Sequence, residues 1–276
     1  MTKGAAAAGD SQGGRAHSTR VRGPSKRQIH VELARLRALR RGEPATTDLF
    51  KPPLRLVDGP SFASQYEEIF LWECYDFPCD TPSPTIVDGG ANIGLASIWW
   101  LARWPKARVV AFEPDPGVFE VLRWNTRFLE GAEIHQRALG TGLAAAFWSE
   151  GADAGRLIQG DEVVADSITV QTTRLSELLL RLGKVEMLKL DVEGAEMDVL
   201  EEAEDHLGMV ENIFVEYHSF AGKRQRLGDL LLLLGRHGLR FHLESPGRRL
   251  HPLCGVPVDR GIDLQCNIFG WRAPGT

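Results

Sequence analysis

A glycine-rich turn follows directly on a short apolar segment in the first half of the sequence. Residues 85–87 are followed by Asp88, and glycines then recur up to Gly94, where an apolar helical pattern begins. Glycine lets a ligand approach the backbone closely, and parallel α/β sheets bind ligands at the ends of their strands. Asp88 would repel a diphosphate but pair with an ammonium group, directly or through water. The turn therefore predicts a ligand with an amino-acid-like head, such as S-adenosylmethionine, with a helix-capping role for Asp88 as the alternative.

A second acid stands where the next apolar segment ends. Residues 108–112 run into Glu113, which lies 19 residues after Gly94. Dinucleotide-binding sheets place the acid that accepts the ribose hydroxyls roughly 20 residues after the glycine turn. Glu113 is therefore predicted to bind a ribose, and a merely solvated strand end is the alternative.

Three acids within six residues follow a third apolar segment. They are Asp191, Glu193 and Glu196, directly after residues 185–190. Like charges held so close together cost stability unless a cation or a proton binds them. This concentration of carboxylates indicates a functional site.

A histidine and a further acid end a fourth apolar segment, residues 213–215. Glu216 and His218 should reach the same edge of a parallel sheet as the acids after the third segment. His218 is the first candidate for a general base, because the unperturbed pKa of histidine, near 6.5, suits neutral pH. Asp191 is the second candidate.

These four segments belong to a longer alternation of short apolar runs and helical patterns. Helices are predicted at 95–104, 118–128, from 175, at 195–203 and at 224–237. Strands are predicted at 85–87, 108–112, 133–139, 185–190, 212–215, 239–243 and 264–269, with a hairpin-like stretch at 143–148 and 167–172. Alternation of this kind predicts an α/β fold with a mostly parallel sheet and helices on both faces.

The chain before the first strand differs from the rest in composition. Residues 1–28 are predicted to be a disordered basic tail, because they bury too little apolar surface to offset the entropy of ordering. Residues 29–84 are predicted to be a helical arm and lid, and residues 85–271 the catalytic domain. The arm opens with a helix at 29–41, whose leucines recur at helical spacing. This helix offers a surface for docking on the main domain or on a second copy of the chain.

The overall composition is that of an ordinary globular protein, with 276 residues, 43% of them hydrophobic and 25% charged. The net charge of −5 argues against a nucleic-acid or anionic-membrane partner, since either needs a dominant positive field. No apolar run approaches the roughly 20 residues of a membrane span, and the N-terminus lacks the apolar core of a secretion signal. We therefore expect a cytoplasmic protein. Four cysteines are too few for a disulfide scaffold, and Cys254 near His251 lacks further ligands, so no metal site is predicted.

The combination of these segments resembles the FkbM-type family of S-adenosylmethionine-dependent methyltransferases. The motifs that carry the resemblance are VDGGANIG at 87–94, FEP at 112–114, Asn125, ALG at 138–140, LKLDVEGAE at 188–196 and VEYH at 215–218. The resemblance covers about residues 64–243. It implies a Rossmann-like class I methyltransferase fold, an α/β fold whose seven-stranded sheet has a reversed last strand. It also implies S-adenosylmethionine as cofactor and methylation of a hydroxyl on a small-molecule natural product or sugar.

The resemblance assigns residues to the cofactor as well. It implies a cofactor loop at Asp88, Gly89, Gly90, Asn92 and Gly94, a ribose ligand at Glu113, adenine contacts at Ala138 and Leu139, and Asp191 near the sulfur. We hypothesise further that Tyr75 closes over the cofactor. Glu193 and Glu216 would orient the base or the hydroxyls of the acceptor.

Several alternatives stay open from the sequence. A carboxylate acceptor is already ionised and needs no base, so His218 would then anchor the substrate. A divalent metal held by Asp191, Glu193 and Glu216 would activate a hydroxyl without His218. An NAD-dependent oxidoreductase would also use a glycine turn and Glu113, although the chain has no Tyr-x-x-x-Lys pair for hydride chemistry. A module that binds cofactor or partner without activity is the last alternative.

Overall fold

The computed structural model describes residues 24–149, 155–158, 164–246, 251, 253 and 261–273. Most of the predicted basic tail, and Cys254, lie outside the described residues. The α-helices of the described residues are α1 (Lys26–Arg37), α2 (Gly59–Tyr66), α3 (Leu95–Arg103), α4 (Pro116–Thr126), α5 (Leu175–Leu182), α6 (Glu196–Glu202) and α7 (Leu227–Arg236). A π-helical turn spans Glu67–Leu71 and a 3-10 helix spans Glu204–Met209.

The strands alternate with these helices. They are β1 (Ala45–Thr47), β2 (Leu54–Leu56), β3 (Thr85–Gly89), β4 (Arg108–Phe112), β5 (Ala132–His135), β6 (Ala138–Leu139), β7 (Ala144–Ser149), β8 (Gly155–Leu157), β9 (Ile168–Thr173), β10 (Val185–Leu190), β11 (Val210–Phe220), β12 (Leu239–Glu244) and β13 (Ile262–Arg272). Strands β4 and β10 have the predicted bounds. Strand β11 runs further than predicted because β13 pairs with it from Asn212 to Phe220.

The main sheet has the strand order β12-β13-β11-β10-β3-β4-β5. The neighbours from β11 to β5 run parallel to one another. Strand β13 lies antiparallel between β11 and β12, so the last strand of the chain is the reversed one. This topology confirms the predicted α/β fold with seven mostly parallel strands and a reversed last strand.

Alternate residues of the central strands enter two separate hydrophobic cores, as the two-residue period of a strand requires. Ile86 and Val109 pack on one face of the sheet with α1, α2 and α3. Val87 and Val110 pack on the other face with α5, α6 and α7. Helices therefore cover both faces, as predicted.

The predicted hairpin-like stretch belongs to a second sheet of order β6-β9-β7-β8. Strand β7 pairs antiparallel with β9, with Phe147 opposite Ile168. The single element predicted at 133–139 is instead two strands in two sheets. The chain turns between them, where the N–H of Arg137 donates to the carbonyl of His135.

Helix α1 begins and ends earlier than the predicted helix at 29–41. The N–H of Ser25 donates to Gln28 Oε1 and the N–H of Gln28 donates to Ser25 Oγ, which forms a capping box at the start of the helix. Leu33 and Leu36 are buried in the core that also contains α2 and α3. The arm helix thus docks on the main domain.

The predicted arm contains a second helix, α2, which precedes the π-helical turn. Helix α2 begins at Gly59, because Asp58 Oδ1 accepts the N–H of Ser61 at 2.7 Å and Pro60 suits a first turn. The π-helical turn then carries the chain to Leu71. None of the described helices combines the length and apolar character that crossing a membrane requires.

Candidate active site

The carboxyl ends of β3, β4, β10 and β11 meet at one edge of the main sheet and open on a cavity of about 420 Å³. Its walls come from this edge, from the segment between α2 and Tyr75, and from the β7–β8 hairpin. The residues predicted for the site that line the cavity are Tyr75, Gly90, Asn92, Glu113, Ala138, Leu139, Asp191, Glu193, Glu216 and His218. Asp88, Gly89 and Gly94 lie behind this lining. One cavity thus unites four segments that are far apart in the chain.

The glycine turn after β3 is in close contact with the end of β10. Gly90 has φ +78°, and a Cβ atom there would lie 1.8 Å from the carbonyl oxygen of Asp191. No side chain fits at that distance, so residue 90 must be glycine. Gly94 has φ +92° and caps the start of α3. The glycine turn lies where the sequence predicted it. The close contact with Asp191 explains Gly90, and the positive φ explains Gly94.

Asp88 points away from the cavity. Its side chain is fully buried, Oδ2 accepts a hydrogen bond from Ser97 Oγ at 2.7 Å, and Oδ1 lies 3.6 Å from Lys189 Nζ. The cation beside this carboxylate is therefore the protein's own lysine. The sequence predicted that Asp88 pairs with a ligand ammonium directly or through water, and this buried position does not favour the direct pairing.

Lys189 is a buried cation at the centre of the site. Its Nζ donates to the carbonyl of Gly90 at 2.9 Å and lies 3.4 Å from Asp191 Oδ2. Burial lowers the pKa of Lys189, but the charges of Asp191 and Asp88 raise it above its ordinary value. The ammonium therefore remains charged and joins the ends of β3 and β10.

Glu113 stands at the end of β4 with its carboxylate against the glycine turn. Its oxygens accept the N–H groups of Asn92 and Asp115, both at 2.9 Å. Burial raises the pKa of Glu113 to about 7, although these two hydrogen bonds lower it. The side chain lines the cavity, so it is placed to accept ribose hydroxyls when it is ionised.

Tyr75 belongs to the wall of the cavity. Its ring lies 5.5 Å from the ring of Trp100 and 4.9 Å from that of Phe214, and only 6% of the residue is exposed. Trp100 Nε1 also donates to the carbonyl of Tyr75. Tyr75 is thus held in the core, and its contact with a cofactor stays a prediction.

His218 lies among three carboxylates at the ends of β10 and β11. Its Nδ1 is 3.1 Å from Glu196 Oε1, and its Nε2 is 3.5 Å from Glu216 Oε1 and 3.6 Å from Glu193 Oε2. We call Asp191, Glu193, Glu196, Glu216 and His218 the acid–histidine cluster. The structure thus brings the acids of the third segment together with both residues of the fourth, as predicted.

Burial and neighbouring charges change the pKa of His218 and Glu216 in opposite directions. Burial lowers the pKa of His218, but its contacts with Glu196 and Glu216 raise it well above the ordinary value. Burial raises the pKa of Glu216, but His218 and Lys189 lower it overall. The pKa of His218 therefore lies well above the unperturbed value assumed from the sequence, which favours the protonated imidazole.

The other carboxyl groups of the cavity bind protons more readily than free carboxylates. Burial raises the pKa of Asp191 to about 6, of Glu193 to about 8 and of Glu68 to about 7. Their mutual repulsion adds to this effect. The cavity is thus an acidic site that favours a bound proton or cation.

Sequence reasoning assigned no role to several residues of the cavity wall. Lys189 carried a signal, since a lysine inside an apolar strand needs a buried partner. Glu68, from the π-helical turn, and Trp148 and Arg156, from the β7–β8 hairpin, carried none. Their position depends on how the arm and the second sheet fold over the main sheet.

A glycine turn after the first strand of the main sheet, an acid at the end of the next strand and a reversed last strand define the class I S-adenosylmethionine-dependent methyltransferases. A sequence model described as the methyltransferase FkbM domain matches residues 88–241. The chain belongs to the FkbM methyltransferase family. It is therefore a methyltransferase, and its cofactor is S-adenosylmethionine.

Individual relatives match half of this chain or more. Methyltransferase 1 of Beauveria bassiana is 32% identical over 66% of this chain and 82% of its own length. The 31-O-demethyl-FK506 methyltransferase FkbM of Streptomyces tacrolimicus is 27% identical over 70% of this chain and 90% of its own length. The 2-O-methyltransferase NoeI of Sinorhizobium fredii is 28% identical over 50% of this chain and 65% of its own length.

Proposed function

We propose that the protein transfers the methyl group of S-adenosylmethionine to a hydroxyl oxygen of a small-molecule acceptor. The observation that carries this proposal is the position of the acid–histidine cluster, which lies in the same cavity as the glycine turn and Glu113. A cluster of proton-accepting groups beside the cofactor site suits an acceptor that must lose a proton. A hydroxyl is such an acceptor.

The cofactor would lie along the sheet edge. Its ribose hydroxyls would meet Glu113, its adenine would lie by Ala138 and Leu139, and its methionine part would lie over Gly90 and point its sulfur towards Asp191. Each of these residues lines the cavity. The methyl group would then face the cluster, with the acceptor between them.

The reaction would be an in-line displacement at the methyl carbon. A lone pair of the hydroxyl oxygen forms the new C–O bond, and the pair of the S–CH3 bond passes to sulfur. Holding the two reactants in the correct orientation lowers the barrier of such reactions by up to about 7–11 kcal/mol. A positioned general base increases the rate by roughly 10²–10⁴-fold. Positioning is thus the main task of the protein.

Asp191 is the proton acceptor that we assign. Its N–H donates to the carbonyl of Gly89, so its position is tied to the turn beneath the transferred methyl group. The raised pKa of His218 favours its protonated form, which would donate a hydrogen bond to the acceptor. The order of the two candidates is thus the reverse of the one favoured by the sequence.

The acidic lining favours a hydroxyl over a carboxylate as the acceptor. A carboxylate would stand beside Glu216, which lines the same cavity and stays ionised because His218 and Lys189 lower its pKa. Repulsion between like charges is large in a site with little water. The names of two relatives, a 31-O-demethyl-FK506 methyltransferase and a 2-O-methyltransferase, also support oxygen as the accepting atom.

The segment before β3 would serve as the wall that selects the acceptor. Ser61, Ser64 and Gln65 from α2 and Glu68 from the π-helical turn line the cavity opposite the sheet edge. We therefore retain residues 29–84 as arm and lid, and residues 85–271 as the catalytic domain, within this proposal.

The test uses S-adenosylmethionine with a ¹³C-labelled methyl group and matched acceptors that carry a hydroxyl, a carboxyl or an amino group at one position. We expect label in a methyl ether, seen by NMR of the product. Label on the carboxylate or amine in preference to the hydroxyl would overturn the proposal. Asp191→Asn should lose turnover while it still binds S-adenosylhomocysteine, which checks the assigned proton acceptor.

A further inference from the structure

A buried carboxylate, that of Glu196, contacts the Nδ1 atom of the His218 imidazole and holds the ring in place. Glu196 is fully buried, and its Oε1 lies 3.1 Å from His218 Nδ1 and accepts the N–H of Gly194 at 2.8 Å. A carboxylate that accepts the Nδ1–H of a histidine sets the tautomer and turns Nε2 towards a ligand. Most histidines that bind metals are held in this way.

The Nε2 atom of His218 has two carboxylate neighbours in the cavity wall, both at long distances. It is 3.5 Å from Glu216 Oε1 and 3.6 Å from Glu193 Oε2, whereas a charge-assisted N–H···O bond is about 2.7–2.9 Å long. The His218 side chain is only 2% exposed, so bulk water does not compensate for this separation. The His218 Nε2 atom and the two carboxylate oxygens thus lie near one another without a short bond between them.

The spacing of the possible ligand atoms in this part of the cavity suits one shared cation. One ligand atom each from Asp191, Glu193 and His218 lies within 4.8 Å of the other two. Ligand atoms about 2.1 Å from a shared cation lie about 3–4 Å apart, so the three side chains would move closer together on binding one. All three residues line the cavity, so the remaining positions around a cation would be open to a substrate.

We propose that Asp191, Glu193 and His218 bind one divalent first-row cation, such as Mn²⁺, on the acceptor side of the cavity. A set of one imidazole and two carboxylates suits such cations better than Ca²⁺, which takes oxygen ligands alone. Glu196 is the positioning residue behind the imidazole. The sequence predicted no metal, and its alternative metal set contained Glu216 in place of His218.

The role of the cation rests on the proposed hydroxyl methylation. The acceptor hydroxyl binds the cation through its oxygen, which makes its proton more acidic. The proton passes to Glu216, the oxygen lone pair forms the bond to the methyl carbon, and sulfur keeps the electron pair of the broken bond. With the cation bound, Asp191 and the neutral imidazole of His218 are ligands, so His218 releases its Nε2 proton to solvent when the cation binds. Glu216 then takes the proton of the acceptor hydroxyl in place of Asp191.

The test is a titration of the full chain with MnCl₂ after treatment with EDTA and dialysis. The electron paramagnetic resonance signal of free Mn²⁺ reports uptake. We expect one Mn²⁺ per chain and a loss of affinity of about 10- to 100-fold in Glu196→Gln, with at least as large a loss in Glu193→Gln. The matched control is Glu120→Gln, on an exposed carboxylate of α4, which should bind Mn²⁺ like the wild type.

The outcomes separate this inference from the proposed function. Absence of saturable Mn²⁺ uptake by the wild type, or equal uptake by Glu193→Gln and the wild type, overturns the metal site. Circular dichroism and calorimetric binding of S-adenosylhomocysteine show that each variant is folded. Methyl transfer to a hydroxyl that continues in EDTA leaves the proposed function standing and removes the cation from it.

Discussion

The Nζ atom of Lys189 lies 2.9 Å from the carbonyl oxygen of Gly90, a residue 99 positions earlier in the chain. The same ammonium lies between Asp88 and Asp191, at 3.6 and 3.4 Å. One buried cation thus joins the glycine turn to the acid at the end of the neighbouring strand. The cofactor loop and the cluster beside it are held as a single unit.

Replacement of Lys189 by methionine should destabilise the protein strongly. Removal of one partner from a buried ion pair leaves an uncompensated charge, here on Asp88, and costs about 3–5 kcal/mol. Lys184→Met is the matched control, because the Lys184 side chain is 62% exposed and its surface ion pairs are worth less than about 1 kcal/mol. Urea denaturation of both variants measures the difference. Equal losses of unfolding free energy would contradict the central role of Lys189.

Replacement of Gly90 by alanine should abolish binding of the cofactor product. The new Cβ would lie 1.8 Å from the Asp191 carbonyl, so the turn and the end of β10 must separate. Gly42 has a similar φ of +71°, but a Cβ atom added there would have no atom within 4 Å, so Gly42→Ala carries only the backbone cost of about 1–2 kcal/mol. Calorimetry with S-adenosylhomocysteine should show lost binding for Gly90→Ala and retained binding for Gly42→Ala. Retained binding in both would show that the contact is not needed.

Cofactor binding should weaken below neutral pH because of Glu113. Its pKa of about 7 in the unliganded protein means that the carboxyl is protonated at lower pH, and ribose hydroxyls need the ionised form. Affinity for S-adenosylhomocysteine should therefore fall by about tenfold per pH unit below 7, because one proton must be released on binding. The ratio of wild-type to Glu113→Gln affinity, measured by calorimetry from pH 5.5 to 8, isolates this residue from the cluster. A ratio that does not change with pH would exclude the assignment.

The raised pKa of Glu113 also makes the free energy of unfolding depend on pH. A carboxyl group whose pKa is higher in the folded than in the unfolded protein favours folding at low pH. The contribution of Glu113 is complete below its unfolded pKa, near 4.5, and is lost as the pH rises through about 7. Glu113→Gln should therefore show a flatter dependence of unfolding free energy on pH between these values.

The arm helix should contribute to the stability of the whole domain. Leu36 is completely buried and packs in the core beneath α2 and α3, so Leu36→Ala should cost about 2–5 kcal/mol. Val31 on the same helix is 60% exposed, and Val31→Ala should cost little. The unfolding temperatures of both variants test whether the arm helix stabilises the domain. If Leu36→Ala unfolds at the wild-type temperature, the arm is an independent unit.

The bounds of two strands and the position of the glycine turn could be predicted from the local sequence pattern. Strands β4 and β10 have the predicted bounds, because Pro114 and the acids after residue 190 end two apolar runs clearly. Residues 216–220, by which β11 extends beyond the predicted end, could not be predicted. They pair with β13, about fifty positions later in the chain, and no local signal reports such pairing.

Local sequence patterns predicted the alternation of strands and helices in the main sheet, the glycine turn and the set of acids that reach one edge of the sheet, because these depend on periodicity and on residues adjacent in the chain. Three features follow from the tertiary structure alone: Asp88 contacts Lys189, Glu68 lines the cavity, and buried carboxylates raise the pKa of His218. Those properties depend on burial and on charges that distant segments bring within a few ångströms. Electrostatic energy at such distances is set by three-dimensional position, which a one-dimensional pattern does not contain.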